Sequence, residues 1–205
     1  LLICFQACGS QLRPSTERSA RMVSQEADRL RNLVDRLVGL RSIPDLKPTN
    51  IHEILERVHS LVEAEFSDNT IKLVRDYDPS IPDLSGDREQ LIQAVLNVAR
   101  NAMQAMLESD LPQRRLTLKT RIQRNFTIAG QHHKVLCRLD IMDTGPGISE
   151  DIKERIFFPM ISGRSEGTGL GLTIAQSAIN VHQGIIECES EPGSTRFSIY
   201  LPIKV

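Results

Sequence analysis

Asp140-Ile141-Met142-Asp143-Thr144-Gly145-Pro146-Gly147 is the stretch on which the reading of this chain turns. Polar and apolar residues alternate from Lys134 to Met142, the period of a half-buried strand, and the strand runs straight into Asp143. A carboxylate at a strand end can accept a hydrogen bond from an exocyclic amine. Gly145 and Gly147 beside it would let a flat ring come against the backbone. Taken alone, the stretch also fits a plain Asp-Gly turn. What lies on either side of it decides between the two.

Upstream, Asp87 with Gln90 marks a helix start, and Leu91, Val95, Val98, Ala102 and Ala105 form the buried stripe of that helix. Asn97 and Asn101 are four apart on the edge of the stripe, so their amides point the same way. An amide oxygen ligates a hard cation without adding charge, and Mg²⁺ uses sparse oxygen sites completed by water and phosphates. Two solvated asparagines are the alternative, although a mid-helix pair costs helix stability. Downstream, Gly167-Thr168-Gly169-Leu170-Gly171-Leu172 opens a helix over 172–183, with Ile174, Ala178 and Val181 inside and Gly184 just past its end. Glycines ahead of a helix expose backbone N–H groups that bind phosphate. The spacing is neither GxxxxGK[ST] nor GxGxxG, which excludes the P-loop and Rossmann readings. A flexible linker is the alternative, and the Gly/Thr/Leu alternation is unusual for one.

The remaining elements follow from the same periods. Ile71–Tyr77 reads as a strand, with a loop after it at Pro79 and Pro82. Leu116–Ile128 and Lys134–Met142 pair through Ala129-Gly130, and Gly184–Glu189 and Thr195–Leu201 through Pro192-Gly193. Asn50 with Glu53 reads as a capping box before the stripe Ile51, Ile54, Leu55, Val58, Leu61 and Val62. Helices and mostly antiparallel strands in this order predict an α+β fold, a two-layer α/β sandwich. Pro44 and Pro48 place a linker over Gly39 to Pro48. Ahead of it Val23, Ala27, Leu30, Val34 and Leu37 step by four and three, the seam of a helix that pairs with other helices. The expected division is 1–44 and 45–205.

A net charge of −1 over 205 residues gives no basic field for nucleic acid, and 4% aromatics without Trp give no base-stacking platform. Cys4, Cys8, Cys137 and Cys188 fit neither a zinc site nor a disulfide framework, so a reducing, cytoplasmic setting is expected. The apolar start, Leu1 to Cys8, is too short to span a bilayer and has no basic n-region, so no membrane is expected. The first residue is not Met, which suggests a fragment.

Asn97 and Asn101, then Asp143-x-Gly145-x-Gly147, then Gly167-x-Gly169-x-Gly171, in that order, resemble the N, G1 and G2 boxes of the GHKL ATPase superfamily. Ile156-Phe157-Phe158-Pro159-Met160 resembles its F box, and Ile161 to Glu166 a short ATP lid. Gly193-Ser194-Thr195-Arg196-Phe197 resembles its last turn. Within the superfamily the chain looks like a sensor histidine kinase of the nitrogen-regulation, NtrB type. The residues that carry this are Glu26 to Leu37, Arg75-Asp76-Tyr77-Asp78-Pro79-Ser80, Asn97 to Ala102 and Phe158 to Arg164.

The resemblance implies an ATP- and Mg²⁺-binding catalytic domain that passes the γ-phosphoryl to a histidine for relay to a response regulator. It implies Asp143 on the adenine amine, Asn101 on Mg²⁺, Asn97 beside the phosphates and Thr195 near the adenine. Gly145, Gly147, Gly167, Thr168, Gly169, Leu170 and Gly171 would shape the pocket, and Arg164 would touch the γ-phosphate or remain a solvated loop arginine. Implied partners are an NtrC-type response regulator, a PII-type signal protein and a second kinase protomer. The family also needs an acceptor histidine on the first helix of a dimerisation hairpin. None of His52, His59, His132, His133 and His182 matches it, and residues 1–15 do not resemble the end of that helix. The expectation is a partial kinase, with only the second hairpin helix (about 16–40) ahead of the catalytic domain. A non-catalytic nucleotide-binding module and a GHKL serine kinase of the anti-sigma type are the rival readings.

Overall fold

The computed structural model describes residues 44–66, 71–110, 112–161 and 169–203. The heptad seam, the helix expected over 16–40, and Arg164, Gly167 and Thr168 lie outside them. The chain order is β1 (Lys47–Thr49), α1 (Ile51–Glu65), β2 (Ile71–Asp76), β3 (Leu84–Gly86), α2 (Arg88–Leu107), β4 (Arg114–Ile128), β5 (Gln131–Asp143), α3 (Glu150–Lys153), α4 (Gly171–Val181), β6 (Ile185–Glu191) and β7 (Ser194–Pro202).

Both long helices start where their caps direct. Asn50 Oδ1 accepts the His52 N–H at 2.9 Å, and Asp87 Oδ1 accepts the Glu89 and Gln90 N–H groups, each at 3.1 Å. Five strands form one sheet in the order β2-β4-β5-β7-β6. Leu116 and Leu118, Leu139 and Ile141, and Phe197, Ile199 and Leu201 sit at alternate positions of three neighbouring strands. They share one continuous core with Ile54, Leu55 and Val58 of α1, Val95, Val98 and Ala102 of α2, and Ala175, Ala178 and Ile179 of α4. The two-layer α/β sandwich stands as expected.

Several local expectations change. β2 and β4 run parallel, while every other pair in the large sheet is antiparallel. Parallel neighbours need a crossover, and α2 supplies it. β1 and β3, within the expected linker and loop, pair as a separate two-stranded sheet. Pro48 is tolerated in so short an edge, and the Thr49 hydroxyl donates across it to the Gly86 carbonyl at 3.0 Å. The third helix, α3, is a single turn that periodicity could not show. Helix α4 begins at Gly171 and stops at Val181, which is exposed rather than inside; His182, its C-cap, is buried instead. Ala105, expected in the α2 stripe, is half-buried.

The start of α1 carries a pH-sensitive contact. The His52 ring stacks on Tyr77 with centroids 5.2 Å apart, and its Nε2 lies 3.1 Å from Thr120 Oγ1. That hydroxyl already accepts the Asp78 N–H, so its own proton is free to go to a neutral Nε2. Burial holds the His52 pKa below its ordinary 6.5, although Asp78 and Glu56 pull it back up. A histidine with a folded-state pKa below the unfolded one contributes its stability fully above pH 6.5. It loses that contribution as pH falls toward the folded value. In urea unfolding, the stability gap between the parent and His52→Gln should therefore narrow as pH drops from 7.5 to 5.5. A gap independent of pH would show that the neutral ring is not favoured.

Candidate functional site

Asp143 is the last residue of β5, nearly buried, and lies in register with Leu116 of β4 and Thr195 of β7. Its Oδ1 accepts the Gly145 N–H at 2.8 Å, which folds the glycine loop back over the carboxylate. A Cβ on Gly145 would sit 2.6 Å from that oxygen. Gly147 has φ +87°, and a Cβ there would come within 2.8 Å of the Glu191 carbonyl oxygen. The Gly193 N–H donates to the Gly145 carbonyl at 3.0 Å, so the β6–β7 turn clasps the same loop. Thr195 is buried beside it, its hydroxyl 2.9 Å from that of Ser190, which in turn accepts the Ile148 N–H at 2.9 Å.

The second half of the site lies along α2. Asn97 is 7% exposed, yet its Nδ2 has no hydrogen-bond partner among the described residues. A buried donor without an acceptor costs roughly 1–3 kcal/mol, so this position calls for an acceptor that the described residues do not supply. Asn101 follows one turn later and is half-buried. A Cβ added to Gly171, the first residue of α4, would lie 4.0 Å from Asn97 Cβ, so this helix start faces the amide. Leu170 caps α4 without a side-chain hydrogen bond, leaving first-turn N–H groups for an anion. Gly169 has φ +64°, and its carbonyl accepts the Met160 N–H at 3.2 Å; a Cβ there would meet Met160 backbone at 2.6 Å.

Helix α2 joins the two halves. Met106 near its end lies against the Gly145 loop, its Sδ 3.8 Å from Thr144 Oγ1, and Asn97 at its middle lies beside Gly171. These positions are ~14 Å apart on a helix, so the site is elongated, with a carboxylate at one end and N–H donors at the other. Phe157 packs edge-on against Phe197, centroids 6.4 Å apart, whereas Phe158 and Met160 are exposed. Among the described residues no three His, Cys, Asp or Glu side chains converge on a metal position. A cation at Asn101 would therefore take most of its ligands from water and phosphates, as Mg²⁺ does.

Of the expected residues, the structure brings Asn97, Gly169, Leu170 and Gly171 together beside the middle of α2, and Asp143, Gly145, Gly147 and Thr195 together beside its C-terminal end. Ser190 and Met106 belong to the site and escaped the sequence reading. A lone Ser in a strand and a Met in an apolar stripe carry no spacing signal.

Residues 86–205 match the family model described as histidine kinase-, DNA gyrase B- and HSP90-like ATPase. The chain is 46% identical over 192 residues to the sensory histidine kinase/phosphatase NtrB of Klebsiella oxytoca, covering 93% of this chain and 54% of that protein. It is 34% identical over 186 residues to the protein of the same name from Rhizobium leguminosarum bv. phaseoli, covering 89% and 48%. The chain thus spans about half the length of these relatives. Among solved structures it resembles full-length ShkA in complex with AMPPNP, with a TM-score of 0.71 at 23% identity, covering 94% of this chain and 40% of that one. It also resembles the catalytic domain of the histidine kinase ThkA, with a TM-score of 0.64 at 24% identity over 77% of this chain and 95% of that one. At these identities the structural matches establish the fold.

Proposed function

The chain belongs to the histidine kinase-, DNA gyrase B- and HSP90-like ATPase family, and from that premise we propose that it binds ATP with Mg²⁺ as the catalytic domain of a nitrogen-regulation sensor histidine kinase. The orphaned Nδ2 of Asn97, aimed beside the start of α4, carries the reading. A phosphate oxygen would satisfy that donor, and the uncapped N–H groups of α4, which begins beside Asn97, would add further donors. Asp143 takes the adenine amine, Thr195 and Ser190 close the floor beside it, and Gly145 and Gly147 leave room for the ring. Asn101 contributes an oxygen to the metal, which supplies charge neutralisation when bound. Arg164, by resemblance, reaches the γ-phosphate. The protein's share of the chemistry is alignment and exclusion of water.

The sequence relatives support the finer reading. The acceptor is a histidine on a separate helical hairpin, followed by an NtrC-type response regulator, with a PII-type signal protein and a second protomer as further partners. ThkA itself has been solved in complex with the response regulator protein TrrA. By the same resemblance, residues 1–44 are assigned to the dimerisation region and 45–205 to the catalytic domain. The likeness to NtrB supports a cytoplasmic setting. No helix among the described residues is long and apolar enough to cross a membrane.

Titrating ATP into the protein at graded Mg²⁺ tests the assignment. The parent should show Mg²⁺-dependent affinity. Asn101→Ala should lose that dependence on the order of tenfold while its melting midpoint stays near the parent's. An unchanged Mg²⁺ dependence in Asn101→Ala would remove Asn101 from the metal.

A further inference from the structure

We propose that His182, far from the nucleotide groups, is a positioning residue that sets the axial register of α4 along α2 and thereby the spacing between Gly169–Gly171 and Asn97. The inference rests on the ATP-binding reading of the site.

His182 is 6% exposed at the C-cap of α4. Its two ring nitrogens face different elements. Nδ1 lies 2.7 Å from the Ala178 carbonyl oxygen, which can only accept, so Nδ1 carries the proton. Nε2 then accepts the Asp87 N–H at 2.8 Å. This second bond crosses between helices, because Asp87 is the N-cap of α2. Gly86, just before Asp87, lies beside the ring: a Cβ there would make ordinary contact with His182 Cδ2 at 3.5 Å and would collide with Leu84 and Leu91 instead.

The first half of α2 therefore meets α4 at both ends of α4. Asp87 touches His182 at one end, and Asn97 faces Gly171 at the other. From Asp87 to Asn97 is ~15 Å of helix and from Gly171 to His182 ~16 Å, so α4 runs antiparallel to the first half of α2 over a matched length. Apolar packing between them, as of Ala175, Ala178 and Ile179, resists separation but resists sliding weakly, because it is not directional. A hydrogen bond is directional, and this one pins the slide. Asp87 also receives the chain as it enters the domain, its Oδ2 accepting the Asp45 N–H at 3.0 Å. The peptide and carboxylate of one residue thus link the entry segment, the helix of the asparagines and the helix of the glycines.

Two amide substitutions separate the bonds of the imidazole. His182→Gln places an oxygen near the Nε2 position and can accept the Asp87 N–H. His182→Asn can still donate to the Ala178 carbonyl but stops short of Asp87. By calorimetry at a temperature where both are folded, His182→Gln should bind Mg·ATP within about twofold of the parent. His182→Asn should bind about tenfold more weakly, the scale of a sub-ångström misplacement of phosphate donors. The amide resonances of Gly169 and Gly171 should shift in His182→Asn and hold in His182→Gln. Should His182→Asn not fold, His182→Phe, which keeps a ring and drops both bonds, takes its place. Equal ATP affinity in the two amide variants, whatever their melting points, would overturn the proposal and leave His182 a stabiliser only. A parent that fails to bind ATP would sink the ATP reading instead. In that case the glycine resonances decide alone, and unshifted signals in His182→Asn overturn the register.

Discussion

Asp143→Asn is expected to bind ATP about 10–100-fold more weakly than the parent, the loss of one charge-assisted hydrogen bond worth ~1–3 kcal/mol. Two claims on the carboxylate bear on adenine. Gly145 donates its N–H to Oδ1 at 2.8 Å, holding the glycine loop, and the exocyclic amine of adenine is also a donor. Two oxygens can serve two donors. An amide has one oxygen and an NH₂, so the variant must either release the Gly145 loop or turn its NH₂ toward the adenine amine, donor against donor. The same logic predicts a change of preference. Inosine triphosphate carries an oxo group where ATP has the amine, and the parent should discriminate against it. Asp143→Asn, which can donate to that oxygen, should narrow the difference. Calorimetric titrations of both nucleotides into both proteins give the four affinities required. An Asp143→Asn variant that binds ATP as the parent does would remove Asp143 from adenine recognition.

The parts of this molecule that are legible in the sequence act through local pattern. Asn97 and Asn101 are placed by a helical period whose cap, Asp87, is itself a local signal. Asp143 ends an alternating strand, and Gly145, Gly147, Gly169 and Gly171 are read from glycines recurring at alternate positions; a Cβ at the first three would collide with its neighbours. What escapes depends on partners distant in the chain. β1 and β3 are three residues each, too short to show a period, and Pro48 argues against a strand until its partner is seen. The parallel direction of β2 against β4 follows from the path of α2, not from either strand's composition. Ser190 matters only because Thr195 and the Ile148 N–H lie against it. His182 entered the sequence reading only as a histidine that does not match the acceptor. Its partner is the backbone N–H of a residue 95 positions away, and no side-chain pattern encodes that.

Incubated alone with labelled ATP and Mg²⁺, this chain should acquire no acid-labile phosphate. Phosphoryl transfer needs an acceptor nitrogen about 3–3.5 Å from the phosphorus and in line with the leaving oxygen. The five histidines are all described, and each is held elsewhere. His182 uses both ring nitrogens within the fold. His52 is stacked on Tyr77 and bonded to Thr120, and His59 is buried with its Nδ1 3.1 Å from the Arg75 guanidinium. His132 and His133 start β5, pairing with Thr127 and Phe126, while Asp143 ends it. Ten residues of extended strand separate His133 from Asp143, ~34 Å. A histidine fixed to the catalytic domain cannot swing to a nucleotide fixed to the same domain, so the acceptor must arrive on another element. The domain should nonetheless be competent. Supplying the helical hairpin of an intact nitrogen-regulation sensor kinase, carrying its acceptor histidine but a disabled nucleotide site, should yield acid-labile label on the hairpin. Asp143→Asn and Asn101→Ala should reduce that label in proportion to their lost nucleotide binding. Label on the chain itself would mean that one of the five histidines leaves its partners to reach the nucleotide. A hairpin that stays unlabelled while the chain binds Mg·ATP normally would mean that the domain holds nucleotide without transferring its phosphoryl group.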